Sequence, residues 1–222
     1  MHSRFATGLA LGLLVLGSPA RPRADGMTSM PGMSGTSACP TPDPDSGAEM
    51  VGKPAPPWSF TRWVGTPLSQ EKLRGKVVLL RWWNVGCHYC EATLPEIESL
   101  RERYGKDFVV IAVFHPKPPG PVKNADVRRW AEARGFHGTL AIDQEWETLS
   151  RYWLAGHDER NWTSVSFLID RDGKIAWVHG GGEYHHSTDP RHASCDRRAT
   201  ELEAKIAELL GKSPIEATSF PQ

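Results

Sequence analysis

The 222-residue chain has only four cysteines, no surplus of either charge and no long apolar run. Four cysteines are too few for a disulfide-dense scaffold, but enough for one redox pair and one staple. Lys and Arg number 26 and Asp and Glu 26, so the formal net charge is zero. That balance argues against a nucleic-acid binder, which carries a basic excess, and against an acidic solubilising tail. No stretch approaches the ~20 apolar residues of a membrane helix, so no membrane span is expected in the mature chain. No internal repeat is visible. At 39% hydrophobic and 23% charged the composition is that of an ordinary globular protein. At roughly 150 residues per domain, the length suits one domain with attachments. Trp and His stand out at nine residues each.

The two ends differ from the middle. His2 and Arg4 precede an apolar core, Ala6 to Gly17, and Ser18-Pro19-Ala20 offers small residues for cleavage. This pattern predicts a signal peptide over 1–20. Export would place the mature chain in a periplasmic or secreted, oxidising compartment. Residues 21–50 are rich in Pro and Gly and are expected to form a flexible tether. Within it Met27, Met30 and Met33 recur every third residue. Thioethers suit Cu(I), although a low-complexity linker also accounts for them. The main domain is expected over 51–211, with a frayed tail over 212–222.

Between these ends strands alternate with helices. Lys76 to Trp83 and Phe108 to Phe114 are continuous apolar runs, as in strands buried on both faces. Leu94, Ile97, Leu100 and Tyr104 recur at helical spacing, as do Ala199, Leu202, Ile206 and Leu209. Asp126 to Arg134 reads as a helix, Thr139 to Ile142 as a strand and Glu145 to Tyr152 as a short helix. Arg171-Asp172-Gly173 forms a turn between Val165–Asp170 and Lys174–His179, which makes those runs a hairpin. Trp58 to Trp63 suggests an extra N-terminal strand pair. The alternation predicts an α/β layered sheet.

Cys87-His88-Tyr89-Cys90 falls where the first buried strand ends and a helix begins. A helix start presents unpaired N–H groups and a positive dipole end, and both favour a thiolate. In such motifs the first Cys has its pKa lowered from about 8.5 to between 3.5 and 7.5. Cys87 is therefore the expected nucleophile and Cys90 the resolving thiol. His88 places a titratable group beside them, and Tyr89 completes the motif. Two alternatives stay open: half of a zinc site completed by scattered His residues, and a permanently oxidised structural bridge.

Val78 to Pro95, VLLRWWNVGCHYCEATLP, resembles the active-site segment of thioredoxin-fold proteins, and within them the exported TlpA/ResA-like thiol–disulfide oxidoreductases. Pro95 matches the family's helix-kinking proline. Ser166 to Ile175, Gly52-Lys53-Pro54-Ala55-Pro56 and Leu73 to Val78 are similar to further family segments. The resemblance implies a three-layer sandwich with a central mixed sheet and helices on both faces. It also implies a redox-active disulfide with no other cofactor, and exchange with protein thiols and disulfides in the export compartment. An upstream electron donor or acceptor would complete the cycle, with the reductase direction favoured.

The departures from the family pattern matter as much. Gly86 replaces the usual Trp, and Arg81 the buried acid of thioredoxin. Thr93 stands where some relatives carry a second acid. Glu91 is expected to point to another face of the helix. Ser164, after Thr163, occupies the position of the family's cis-proline. A cis bond before a non-proline residue costs about 2.5–4 kcal/mol, so a trans bond is expected. Without that proline there is room for a metal, copper above all, bound by Cys87, Cys90 and a His such as His115 or His179. Such a copper-binding or copper-delivery module is the alternative function. Asn84 stands where a peroxiredoxin has Thr, which argues against a peroxidase. The run His179 to His186, with three His, Glu183 and three Gly, reads either as a metal-binding loop or as an exposed mobile one. Cys39 and Cys195 remain, and in an oxidising compartment leftover thiols tend to pair; the alternative is a Cys39 that is free or paired with another molecule.

Overall fold

The computed structural model describes residues 39, 46–60 and 62–212. The signal peptide, the methionine-containing stretch, most of the tether and nearly all of the tail lie outside the described residues. Six strands form one mixed sheet in the order β1-β4-β3-β2-β5-β6. They are β1 Arg62–Val64, β2 Val77–Trp83, β3 Phe108–Phe114, β4 Thr139–Ile142, β5 Ser166–Ile169 and β6 Ile175–His179. β2, β3 and β4 run parallel, with Val77 opposite Phe108 and Thr139 opposite Ile111. β1, β5 and β6 each pair antiparallel with a neighbour.

The continuous apolar runs sit at the centre because both faces of the sheet are covered. Every residue of β2 is buried. Side chains alternate across a strand, so Val77, Leu79 and Trp83 join one core and Val78, Leu80 and Trp82 the other. The first core is closed by the helices α1 His88–Tyr104, α2 Asn124–Glu132 and α4 Ala193–Leu210 through Leu94, Ile97, Ala131, Leu202 and Ile206. The second is closed by α3 Glu147–Leu149, which runs on as a wider π-helical turn over Ser150–Leu154. Tyr152, Trp153, Phe60 and Leu73 fill that side. The architecture is thus the expected three layers.

Two boundaries differ from expectation. Of the N-terminal strand pair, only the three-residue β1 forms among the described residues. Trp58 instead donates its indole N–H to the Leu68 carbonyl and packs on the second core. The packed domain also starts before residue 51. Residues 48–50 form a 3-10 turn, and Met50 packs against the second core. The N–H of Gly52 bonds the Ile175 carbonyl and Lys53 O accepts from Ile175 N, so this segment borders β6. The Pro content that suggested a tether suits such an edge segment equally well.

Asp143, just after β4, ties the far side together. Its carboxylate accepts from the Trp82 indole at 3.1 Å and from the N–H groups of Thr148 and Leu149 at 3.1 and 2.7 Å. It thereby caps α3 while holding the C-terminal end of β2. Asp143→Ala leaves these buried donors without an acceptor and is expected to destabilise the domain by about 3 kcal/mol. Urea unfolding should show a lower midpoint with an unchanged slope.

Candidate functional site: a cysteine pair at a helix start over a buried arginine

β2 delivers the chain to the first turn of α1. Cys87 is the N-cap residue, with φ −81° and ψ 98°, and its carbonyl accepts from Cys90 N–H at 3.0 Å. The two cysteines are bonded to each other, their Cα atoms 5.3 Å apart. Cys87 is half-buried and Cys90 fully buried. The outer sulfur thus lies at the positive end of a 17-residue helix and the inner one behind it. Pro95 lies within α1 on its exposed face. His88 is exposed, and its ring meets Tyr89 at 5.9 Å. Tyr89 also packs on Trp162 at 5.3 Å. Glu91 faces away and pairs with Arg134, as expected.

Beneath the pair lies Arg81, fully buried on the α1 side of β2. One Nη donates to the Ser164 carbonyl at 2.6 Å and the other to the Gly182 carbonyl at 2.8 Å. Longer contacts reach Ser166 Oγ at 3.4 Å and Thr93 Oγ1 at 3.5 Å. Thr93 is three residues, less than one helical turn, beyond Cys90. The guanidinium also lies over the Tyr184 ring at 5.4 Å. Burial pulls the Arg81 pKa down to about 10, while Tyr184 and Glu183 act to raise it. At neutral pH it therefore remains a cation. A departure from the expected pattern thus becomes the centre of the candidate site, a fixed and buried positive charge.

The neighbouring loops are shaped to this cation. Thr163 and Ser164 are buried. The cis peptide among the described residues is Lys117–Pro118, so the bond before Ser164 is trans, as expected. The glycine run is a buried passage rather than an exposed mobile loop. Gly181 has φ 131°, and a Cβ there would lie 2.3 Å from Trp162 Cβ. Only glycine lets the chain pass this close and still deliver the Gly182 carbonyl to Arg81. Gly182, Tyr184 and Trp162 were not singled out as site residues. The lone charge in the apolar run of β2 is the signal that could have found the Gly182 carbonyl and the Tyr184 ring, because a buried guanidinium must find acceptors.

The proposed metal set at the pair does not assemble. Among the described residues, the groups that could hold a metal are Cys39, His185, His192 and Cys195, and Glu96, His186 and Glu203. Neither contains Cys87, Cys90, His115 or His179. His115 is buried, its ring beside Trp146 and its Nε2 3.5 Å from Asn84 Nδ2. His179 is buried and stacked on Trp177. Apolar packing, not metal coordination, is what these imidazoles meet. His186 pairs with Asp196 and Glu203. Cys39 and Cys195 are disulfide-bonded, with Cα atoms 6.0 Å apart. A cavity of about 300 Å³ lined by Trp58, Leu73, Val78 and Ile169 lies at the opposite end of β2 and takes no part in the site.

Residues 51–178 match the sequence model of the AhpC/TSA family. The thiol-disulfide oxidoreductase YkuV of Bacillus subtilis (strain 168) is 21% identical over 121 residues, covering 54% of this chain and 78% of YkuV. The thiol-disulfide oxidoreductase ResA of Bacillus thuringiensis (strain Al Hakam) is 29% identical over 126 residues, covering 56% of this chain and 66% of ResA. A crystal structure of a candidate thiol:disulfide interchange protein DsbE from Chlorobium tepidum superposes with a TM-score of 0.55 at 25% identity, covering 72% of this chain and 98% of that one. The fold is thioredoxin-like.

Burial keeps the two core histidines neutral, with the His115 pKa pushed down to about 3 and that of His179 well below 6.5. Their unfolded values lie near 6.5. Below that pH the unfolded chain takes up protons that the native chain refuses. Their contribution to stability is therefore complete above about pH 6.5 and lost as pH falls towards 3. The thermal midpoint should drop between pH 7 and pH 4.5, and His115→Asn should make that drop shallower in a calorimetric pH series.

Proposed function

Because this chain belongs to the AhpC/TSA family of thioredoxin-like proteins, we propose that it is a thiol–disulfide oxidoreductase acting on protein partners through Cys87 and Cys90. The observation that carries this reading is the position of the pair: one sulfur partly exposed at a helix start, the other buried behind it, the two joined in a disulfide. In the reduced enzyme the Cys87 thiolate attacks a partner disulfide. One partner sulfur leaves as a thiol, and a Cys87–partner mixed disulfide remains. Cys90 then ionises and attacks Cys87 Sγ. The second partner thiol leaves and the Cys87–Cys90 bond closes, so two electrons pass to the partner.

His88, Tyr89, Pro95, Thr163 and Ser164 support this site. Tyr89 and Trp162 form the apolar wall beside the pair, and Ser164 is the backbone anchor of Arg81. Arg81 and Thr93 occupy the positions where the family pattern carries an acid. Arg81 lowers the energy of the anion instead, through its positive charge.

Export is part of the proposal. It rests on the signal-like residues 1–20 and on the Cys39–Cys195 staple, which an oxidising compartment would preserve. No helix among the described residues is long and apolar enough to cross a membrane. The family resemblance favours the reductase direction, supplied by an upstream electron donor. Arg81 moderates that strength, since stabilising the thiolates stabilises the reduced form and makes the disulfide more oxidising.

Trapping tests the roles. Cys90→Ser should accumulate mixed disulfides through Cys87, and Cys87→Ser should not; equal trapping by both variants would reject the assignment. The potential of the pair tests Arg81. Arg81→Leu should shift it to more negative values by on the order of 30 mV, about 1.4 kcal/mol for a two-electron couple. Arg81→Lys keeps the charge and should move it less.

A further inference from the structure

The second disulfide sits among histidines. Cys195 is buried in the first turn of α4, and His192 is the N-cap residue of the same helix, three positions earlier. Cys39 Sγ lies 3.2 Å from His192 Nδ1. His185 approaches from the loop after the glycine run, its ring 5.1 Å from that of His192. His185 Nδ1 is buried and has no hydrogen-bond partner. One ligand atom from each of the four side chains lies within 4.8 Å of every other.

We propose that Cys39, His185, His192 and Cys195 form a zinc(II) site when their disulfide is reduced. Two thiolates and two imidazoles are a tetrahedral donor set that suits zinc. With Zn–S near 2.3 Å and Zn–N near 2.0–2.1 Å, the donor atoms of a tetrahedral site stand about 3.3–3.8 Å apart. The four donor atoms lie within 4.8 Å of one another, so closing on a metal takes shifts of about 1 Å, while the two sulfurs part by under about 2 Å from bonding distance. The chemistry balances in both directions. A protein dithiol gives two electrons and two protons to the Cys39–Cys195 bond and becomes a disulfide; Zn²⁺ then displaces the two thiol protons. In reverse, a partner disulfide takes two electrons from the thiolates and two protons from solvent. The Cys39–Cys195 bond closes and Zn²⁺ leaves. Position 39 stays fastened to the start of α4 in either state. This site is separate from Cys87 and Cys90, and it stands or falls independently of their activity.

The test uses the full chain carrying Cys87→Ser and Cys90→Ser, reduced anaerobically with a phosphine. Zinc affinity is read by competition with a chromophoric chelator, and the donor set by Co²⁺ substitution. We expect one zinc per reduced chain, a tetrahedral cobalt spectrum with thiolate charge-transfer bands, and release of the metal on adding a small-molecule disulfide. His185→Ala with His192→Ala should weaken zinc binding by more than about tenfold, while the Cys39–Cys195 bond still closes on oxidation, which shows that the variant folds. Failure of the natively folded, reduced chain to bind zinc overturns the proposal. So does an affinity unmoved by the histidine substitutions. Cobalt bound without thiolate bands would place the ion at Glu96, His186 and Glu203 and would overturn it as well.

Discussion

A buried guanidinium cannot be left without acceptors, and that constraint shapes the centre of this molecule. Removing a charge from water is costly unless it is paired or hydrogen-bonded. The two Nη groups of Arg81 find two backbone carbonyls, two hydroxyls and an aromatic face, while its buried Nε has no partner among the described residues. Those acceptors come from three separate segments: the entry into and first residue of β5, the glycine passage after β6 and the second turn of α1. One side chain thus fixes the three pieces of backbone that surround the cysteine pair. The glycines at 181 and 182 and the serine at 164 make sense as its companions.

Electrostatics then divides the site into two zones. Cys87 sits at the positive end of α1, and the buried Arg81 cation reaches Thr93, three residues beyond Cys90 on the same helix. The imidazoles that might have competed for charge or metal are held neutral by burial, His115 beside Trp146 and His179 between Trp177 and Tyr184. The histidine whose pKa is raised lies elsewhere, on the loop facing α4. Burial alone would lower the His186 pKa, but Asp196, Glu96 and Glu203 outweigh it and hold it above 6.5.

Much of this was legible in the chain. The apolar runs of β2 and β3 announced a sheet covered on both faces, and the 3.6-residue spacing in α1 and α4 announced its cover. The change of period at Cys87 located the helix start, and with it the reactive pair. What the pattern could not show was side-chain company at long range. Arg81 was visible as an anomaly, but its partners lie 83 and 101 positions away. The glycine run looked like a mobile loop because glycine marks both mobility and close approach, and only Trp162 distinguishes the two. His115 and His179 looked like ligands because a strand-end imidazole gives no hint of its burial. The staple between Cys39 and Cys195 was open to arithmetic, while the histidines around it were not.

The sheet has two margins, and both are blunted. β1 is three residues long and begins with Arg62. β6 is bordered by the segment around Gly52 to Ala55, which takes up backbone groups of Ile175 and Gly173. Unpaired strand margins invite a foreign chain to add on as a further strand, and little of that template remains here. A foreign strand finds few free backbone groups to pair with at either margin, and self-association into extended β-ribbons is disfavoured by the same arrangement.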